Sequence, residues 1–313
     1  MTRIKFALCF ATFTLILLDA LIVKDPPYGQ LKITGKYLTK LDGTPVQLRG
    51  ISLFRTNTVR GHLFFANSTA NIVKCYWNAN VIRAPLGIDL PGNASANASL
   101  PGYLTSPEEN YQRLKIIVES AIENGIYVII DWHAFHMYTD QAVAFFTNIS
   151  IAYGGYPHII YETYNEPDSA DTWEQLKSYH INVINAIRAN DPDNVVVVGT
   201  PRADLDVEIA ARDPINMTNI AYSLHYYTNE DPPLKMNKTN EAINMGLPIF
   251  VTESGVCNSH GNGTVNVNVT QACCIGILFF MTNHRIRMTT NMDNEKQVMA
   301  VKWIKTACAR MVA

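Results

Sequence analysis

Short apolar runs recur along this chain, and most of them break on a charged or amide residue. The clearest is 159–164, Ile-Ile-Tyr-Glu-Thr-Tyr, followed by Asn165, Glu166 and Pro167. Its β-branched and aromatic content predicts a buried strand. Proline has no N–H to give a ladder, so the strand must stop there. The stretch 248–253 repeats the design: a second apolar run ends in Glu253, and Gly255 supplies a turn. Similar runs predict strands at 47–54, 81–84, 126–131, 194–199 and 220–227. Between them the spacing predicts helices over 71–80, 106–124, 140–153, 171–190 and 238–245. In the first, Ile72, Tyr76 and Trp77 share one side. In the fourth, Trp173, Leu176, Val183 and Ile187 form a stripe better suited to core than to ligand contact. Ser106-Pro107 opens one helix by cap chemistry and Asn124-Gly125 closes it. Ahead of all this, 28–45 predicts a hairpin capping the floor of the fold.

Strands that alternate with helices about every 30 to 40 residues argue for parallel strands joined by crossovers. The pattern predicts an α/β protein, a (β/α)8 TIM barrel. Polar residues gather at the C-terminal ends of the predicted strands: Arg83, His133, Asn165, Glu166, His225, Tyr227 and Glu253. That end is where such a barrel carries its active site. A carboxylic acid at the mouth of an apolar strand is partly desolvated, which raises its pKa and suits a general acid near neutrality. Taken alone, Glu166 before Pro167 equally suits an ordinary helix start. The second glutamate, Glu253, tips the balance. Two glutamates at the ends of two strands are the equipment of a glycosidase, one acid/base and one nucleophile. Arg83, in so apolar a strand, needs a partner, and a structural carboxylate would serve as well as a catalytic one.

The 313 residues fit one large α/β barrel, or two smaller domains. Lys plus Arg number 25 against 27 Asp plus Glu, a net charge of −2, which supports neither nucleic acid nor an anionic membrane as partner. Arg3 and Lys5 precede the apolar run 6–18, the layout of a secretory signal peptide over 1–22, with a signal anchor as the alternative. The remainder, 23–313, is expected to be a single catalytic domain with no membrane association after cleavage. Asn-x-Ser/Thr acceptors at Asn67, Asn93, Asn97, Asn148, Asn216, Asn237, Asn262 and Asn268 support a secreted, extracellular glycoprotein. Cys75, Cys257, Cys273, Cys274 and Cys308 have no metal-ligand spacing.

The chain resembles glycoside hydrolase family 5, and within it the secreted endo-β-1,4-glucanases (cellulases), including those of plant-parasitic nematodes. The stretches that carry the resemblance are Arg49-Gly-Ile-Ser-Leu-Phe54, Asn78-Ala-Asn-Val-Ile-Arg83, Ile130-Asp-Trp-His133, Tyr161-Glu-Thr-Tyr-Asn-Glu-Pro167, the run 191–201, Leu224-His-Tyr-Tyr227 and the run 246–255. The resemblance implies Glu166 as acid/base and Glu253 as nucleophile in a retaining reaction. The two carboxyls would then lie about 5 Å apart. It implies Arg83 beside the nucleophile, Tyr227 hydrogen-bonded to it, His225 near the acid/base, Asn165 on the sugar 2-OH and His133 lining the subsite of cleavage. It implies a monomer acting on a polysaccharide, a β-1,4-glucan, with no cofactor and no metal.

The sequence also departs from the family. Arg55 and Arg202-Ala203 stand where aromatic sugar platforms are usual. From about Ala272 an atypical C-terminal segment replaces the last helix-strand unit. Two alternatives stand beside the cellulase reading, the first resting on these departures and the second on the pocket loops that decide substrate within the family. One is a catalytically impaired member that binds polysaccharide, and the other a hydrolase of another β-glycan such as mannan or xyloglucan.

Overall fold

The structure, a computed structural model, describes residues 21–90, 99–230, 232–256 and 258. Expectations placed on residues 1–20, on four of the glycosylation acceptors and on the segment from Ala272 lie outside the described residues.

An antiparallel hairpin, β1 (Leu31–Thr34) and β2 (Tyr37–Lys40), leads into a seven-stranded sheet. That sheet comprises β3 (Gly50–Ser52), β4 (Val81–Gly87), β5 (Tyr127–His133), β6 (Ile159–Glu162), β7 (Val196–Val198), β8 (Ile220–Tyr227) and β9 (Ile249–Gly255). The strands pair in chain order and every pairing is parallel. Helices fill the crossovers: α1 (Thr69–Trp77), α2 (Pro107–Asn124), α3 (Thr139–Tyr153), α4 (Trp173–Arg188), α5 (Pro201–Asp204), which is a single turn with left-handed residues, α6 (Val207–Arg212) and α7 (Pro232–Asn244). Sequential parallel strands with helical crossovers are the winding of a (β/α)8 TIM barrel. That is the fold of this chain, with seven of the parallel strands among the described residues.

The apolar runs make strands here because both faces are covered. Alternate residues feed two cores. Val81, Tyr127, Ile129, Ile160, Val197 and Phe250 point into the barrel, where Leu31, Leu38 and Leu48 close the floor, as the opening hairpin predicts. Ile82, Val128, Ile130, Tyr161 and Val196 point outward and pack with helix residues such as Ile117, Phe146 and Ile184. Higher in the barrel the inward positions turn polar, and the site begins there.

Two elements differ from expectation. Helix α1 buries Ala70 and Val73, whereas Ile72 and Tyr76 are exposed. A 3.6-residue period allows more than one face, and packing against α2 and β3 selects the smaller one. Helix α7 begins at Pro232, six residues before the periodic stretch. Helix α4 does bury the predicted stripe, and Trp173 is core, its Nε1–H donating to the Asp213 carbonyl at 2.9 Å. Among the described residues no helix is long and apolar enough to cross a membrane.

Candidate active site

Arg83 lies in β4, fully buried at the centre of the polar layer. Its Nε donates to Glu162 Oε2 at 2.6 Å and its Nη2 to Glu162 Oε1 at 3.1 Å, a bidentate grip. The same Nη2 reaches Asp131 Oδ2 at 2.8 Å and Asn165 Oδ1 at 2.8 Å. Nη1 reaches Glu253 Oε2 at 3.1 Å and Ser52 Oγ at 3.2 Å. Arg83 thus bridges Asp131 and Glu162 and also holds Glu253. Burial opposes its charge, but Asp131, Glu162 and Glu253 together hold its pKa above the usual arginine value.

Glu253 reaches the interior through an irregularity. The register of β8 on β9 shifts between Ser223 and His225, so that Ser223 pairs with Phe250 but His225 with Glu253. The extra residue in β9 lets Thr252 and Glu253 serve the interior together, where strict alternation would send them to opposite faces. Tyr227 donates its hydroxyl to Glu253 Oε1.

Glu166 follows β6 in a left-handed conformation, φ 44°. Its side chain is a third exposed, more open than a strand-mouth position suggests. Glu166 Oε1 lies 3.0 Å from His225 Nδ1. His225 Nε2 lies 2.9 Å from Thr252 Oγ1, and that hydroxyl donates to Glu162 Oε1 at 2.7 Å. Burial alone would lower the pKa of His225. The Asp204 carboxylate and the hydrogen bond to Glu166 outweigh it, and the imidazole is raised to about 9. At neutral pH it therefore carries a proton on each nitrogen, donating to Glu166 and to Thr252.

His133, the last residue of β5, places Nδ1 2.8 Å from Asp131 Oδ2. Burial drives its pKa well down, with help from the charges of Arg55 and Arg83, so the ring is neutral. It donates Nδ1–H to Asp131 and leaves Nε2 as an acceptor. Burial also pushes Asp131 up to about 7, against the pull of Arg83. Asn165 is completely buried, and its Nδ2 has no hydrogen-bond partner among the described residues. A buried amide donor left unmet is costly and invites an acceptor from outside the chain.

The structure therefore brings Arg83, His133, Asn165, Glu166, His225, Tyr227 and Glu253 to one end of the barrel. A carboxylate oxygen of Glu166 and one of Glu253 lie within 4.8 Å of each other, and a His225 nitrogen lies within the same distance of each. By spacing alone, the acidic groups around His225 could hold a cation: Glu162, Asp204 and His225, or Glu166, His225 and Glu253. In both sets, however, the donors already face Arg83 or the protonated imidazole.

The model of the cellulase family, glycosyl hydrolase family 5, matches residues 39–296. This chain belongs to glycosyl hydrolase family 5. The match continues past Ala272, into the segment that the sequence marks as atypical. Curated family relatives include endoglucanase Z of Dickeya dadantii, 39% identical over 71% of this chain and 51% of its own length. An endoglucanase of Clostridium saccharobutylicum is 36% identical over 75% of this chain and 51% of its length. The chain thus spans about half the length of the curated relatives it matches. The catalytic domain of Thermobifida fusca endoglucanase Cel5A superposes with a TM-score of 0.73 at 29% identity, covering 82% of this chain and 84% of that domain. A variant of that family 5 domain is known in complex with cellotetraose.

Four residues escaped the sequence reading. Asp131 and Glu162 sit at inward positions of β5 and β6 that pair directly in register, and both grip Arg83. Their signal was present as acids inside apolar strands, the same signal that singled out Arg83. Thr252 and Asp204 gave no such sign, because a threonine in a strand and an aspartate in a loop are ordinary. Where the family usually has an aromatic, Arg55 instead stacks its guanidinium on Phe135, 5.1 Å from the ring centre.

Proposed function

We propose that the chain is a retaining endo-β-1,4-glucanase acting on cellulose-type β-glucans. The observation that carries this is the spacing of Glu166 and Glu253, whose nearest oxygens lie within 4.8 Å. Carboxyls about 5 Å apart suit a nucleophile and an acid/base, whereas an inverting pair needs about 6.5–9.5 Å to admit a water. In the first step Glu253 attacks the anomeric carbon while Glu166 gives its proton to the departing oxygen, and the glycosidic bond breaks. In the second, Glu166 takes a proton from water, whose oxygen attacks the same carbon and releases Glu253. Arg83 and the Tyr227 hydroxyl keep Glu253 ionised and aimed. The unmet Asn165 amide is placed to receive a sugar hydroxyl, a contact that strengthens as positive charge develops on the ring. His133 Nε2 offers an acceptor on the neighbouring wall.

The test is release of reducing ends from carboxymethylcellulose, lichenan and glucomannan, with Glu253→Gln as control. Release from carboxymethylcellulose that the control loses is the expected result. Folded protein inactive on all three substrates would overturn the assignment. We also infer a secreted, glycosylated chain. Support comes from the charged-then-apolar stretch over residues 3–18 and from the acceptors Asn67, Asn148, Asn216 and Asn237, all of them exposed. A mobility shift of the secreted protein on amidase deglycosylation is expected.

A further inference from the structure

A non-glycine residue in the left-handed region costs about 1–2 kcal/mol and persists only where its surroundings impose it. Glu166 is such a residue, with φ 44°. Its backbone N–H donates to Asp204 Oδ2 at 3.1 Å. Asp204 is brought there by an unusual turn, in which Arg202, Ala203 and Asp204 take φ values of 58°, 57° and 59° in succession. That turn, after β7, is tied to the turn after β6 a second time, because Ala203 N–H donates to the Pro167 carbonyl at 2.9 Å. The other carboxylate oxygen of Asp204 accepts the Thr200 N–H at 2.6 Å, anchoring the side chain to the end of β7. Asp204 has no solvent exposure. A carboxylate in so dry a place is costly unless paired. Its partner is His225, whose Nε2 lies 3.5 Å from Asp204 Oδ2 and whose Nδ1 meets the Glu166 carboxylate.

We propose that Asp204 is a positioning residue for Glu166. It holds the backbone of that glutamate in its left-handed conformation. Its charge also faces, at 3.5 Å, the His225 imidazole that meets the glutamate side chain. One buried carboxylate thus grips the acid/base at both ends. This rests on the assignment of Glu166 as acid/base.

A turn-closing aspartate with no such role would stabilise the chain and affect all substrates alike. The leaving group separates the two cases. A dinitrophenyl group departs from cellobioside without protonation, whereas a phenyl group needs the acid. For Asp204→Asn, kcat/KM on phenyl β-cellobioside is expected to fall about a hundredfold relative to kcat/KM on the dinitrophenyl substrate. That is the scale of loss from displacing a catalytic group by about 1 Å. Asp204→Ser, smaller and uncharged, is the second variant and should behave likewise. Equal losses on both substrates, no loss on either, or failure of both variants to fold would each overturn the proposal and leave Asp204 a structural residue. Wild-type protein inactive on both substrates would instead overturn the glycosidase reading on which the proposal rests.

Discussion

Arg83 shows how one residue can serve stability and chemistry together. It is surrounded by Asp131, Glu162 and Glu253, all of them buried. Replacing it with methionine leaves those carboxylates buried without their cation. The expected cost is about 3–5 kcal/mol, measurable by urea unfolding. Glu166, by contrast, is partly open, and its loss should be felt in rate alone. Glu166→Ala should lower turnover on unactivated substrate by about 10²–10⁴-fold. Azide, a nucleophile that needs no base, should restore part of the turnover of an activated aryl cellobioside.

His180 gives a residue-scale pH dependence away from the site. It is fully buried in α4, with Nε2 2.9 Å from the Gly199 carbonyl and Nδ1 2.8 Å from Thr163 Oγ1. Burial lowers its pKa from 6.5 to about 3, the Gly199 carbonyl pulling only weakly the other way. The folded value lies below the unfolded one, so its contribution is full above pH 6.5. It is lost as pH falls from there toward 3, at about 1.4 kcal/mol per pH unit. The stability advantage of wild type over His180→Gln should therefore shrink between pH 6.5 and 4. A constant advantage across that range would refute it.

At the scale of elements, the ends of β6, β7 and β9 decide the site. Gly199, just past β7, has no room for a side chain: a Cβ there would lie 2.4 Å from the Tyr164 carbonyl oxygen and 2.9 Å from Pro167 Cγ. Gly199→Ala must push the turn that carries Glu166. We expect roughly 1–3 kcal/mol of destabilisation with a disproportionate loss of kcat/KM. A melting curve and steady-state kinetics on the same sample would show whether the two losses separate. The sequence marks the strand ends well, because proline and glycine punctuate them. The register shift in β9 left no mark, since nothing in Phe-Val-Thr-Glu says that two successive side chains will serve one interior. The left-handed turn at Arg202, Ala203 and Asp204 was equally hidden. None of those residue types asks for positive φ, and only the contacts to Pro167, Thr200 and Glu166 impose it.

At the scale of the whole molecule, an apolar floor and a polar mouth occupy opposite ends of one barrel. The hairpin β1–β2 closes the floor with Leu31 and Leu38, while Glu166 and Glu253 lie at the mouth. Leu38→Ala should therefore cost about 2–5 kcal/mol, as for a fully buried leucine. At a temperature where the variant stays folded, its kcat/KM should match wild type. A drop in kcat/KM without unfolding would show the two ends to be coupled.

By itself the sequence determined the alternation of buried strands and helices, the barrel, the two glutamates and the polar residues around them. Those depend on local composition: apolar runs seek burial, and a proline or a charge ends them wherever the chain goes. Tertiary structure alone decided what each polar residue touches. Glu162 and Asp131 became the counter-ions of Arg83, Thr252 became a link between His225 and Glu162, and Asp204 came to hold Glu166. Each of those contacts joins segments 27 or more residues apart, set by strand register and by turns whose conformations are imposed by their neighbours, and no local pattern encodes them.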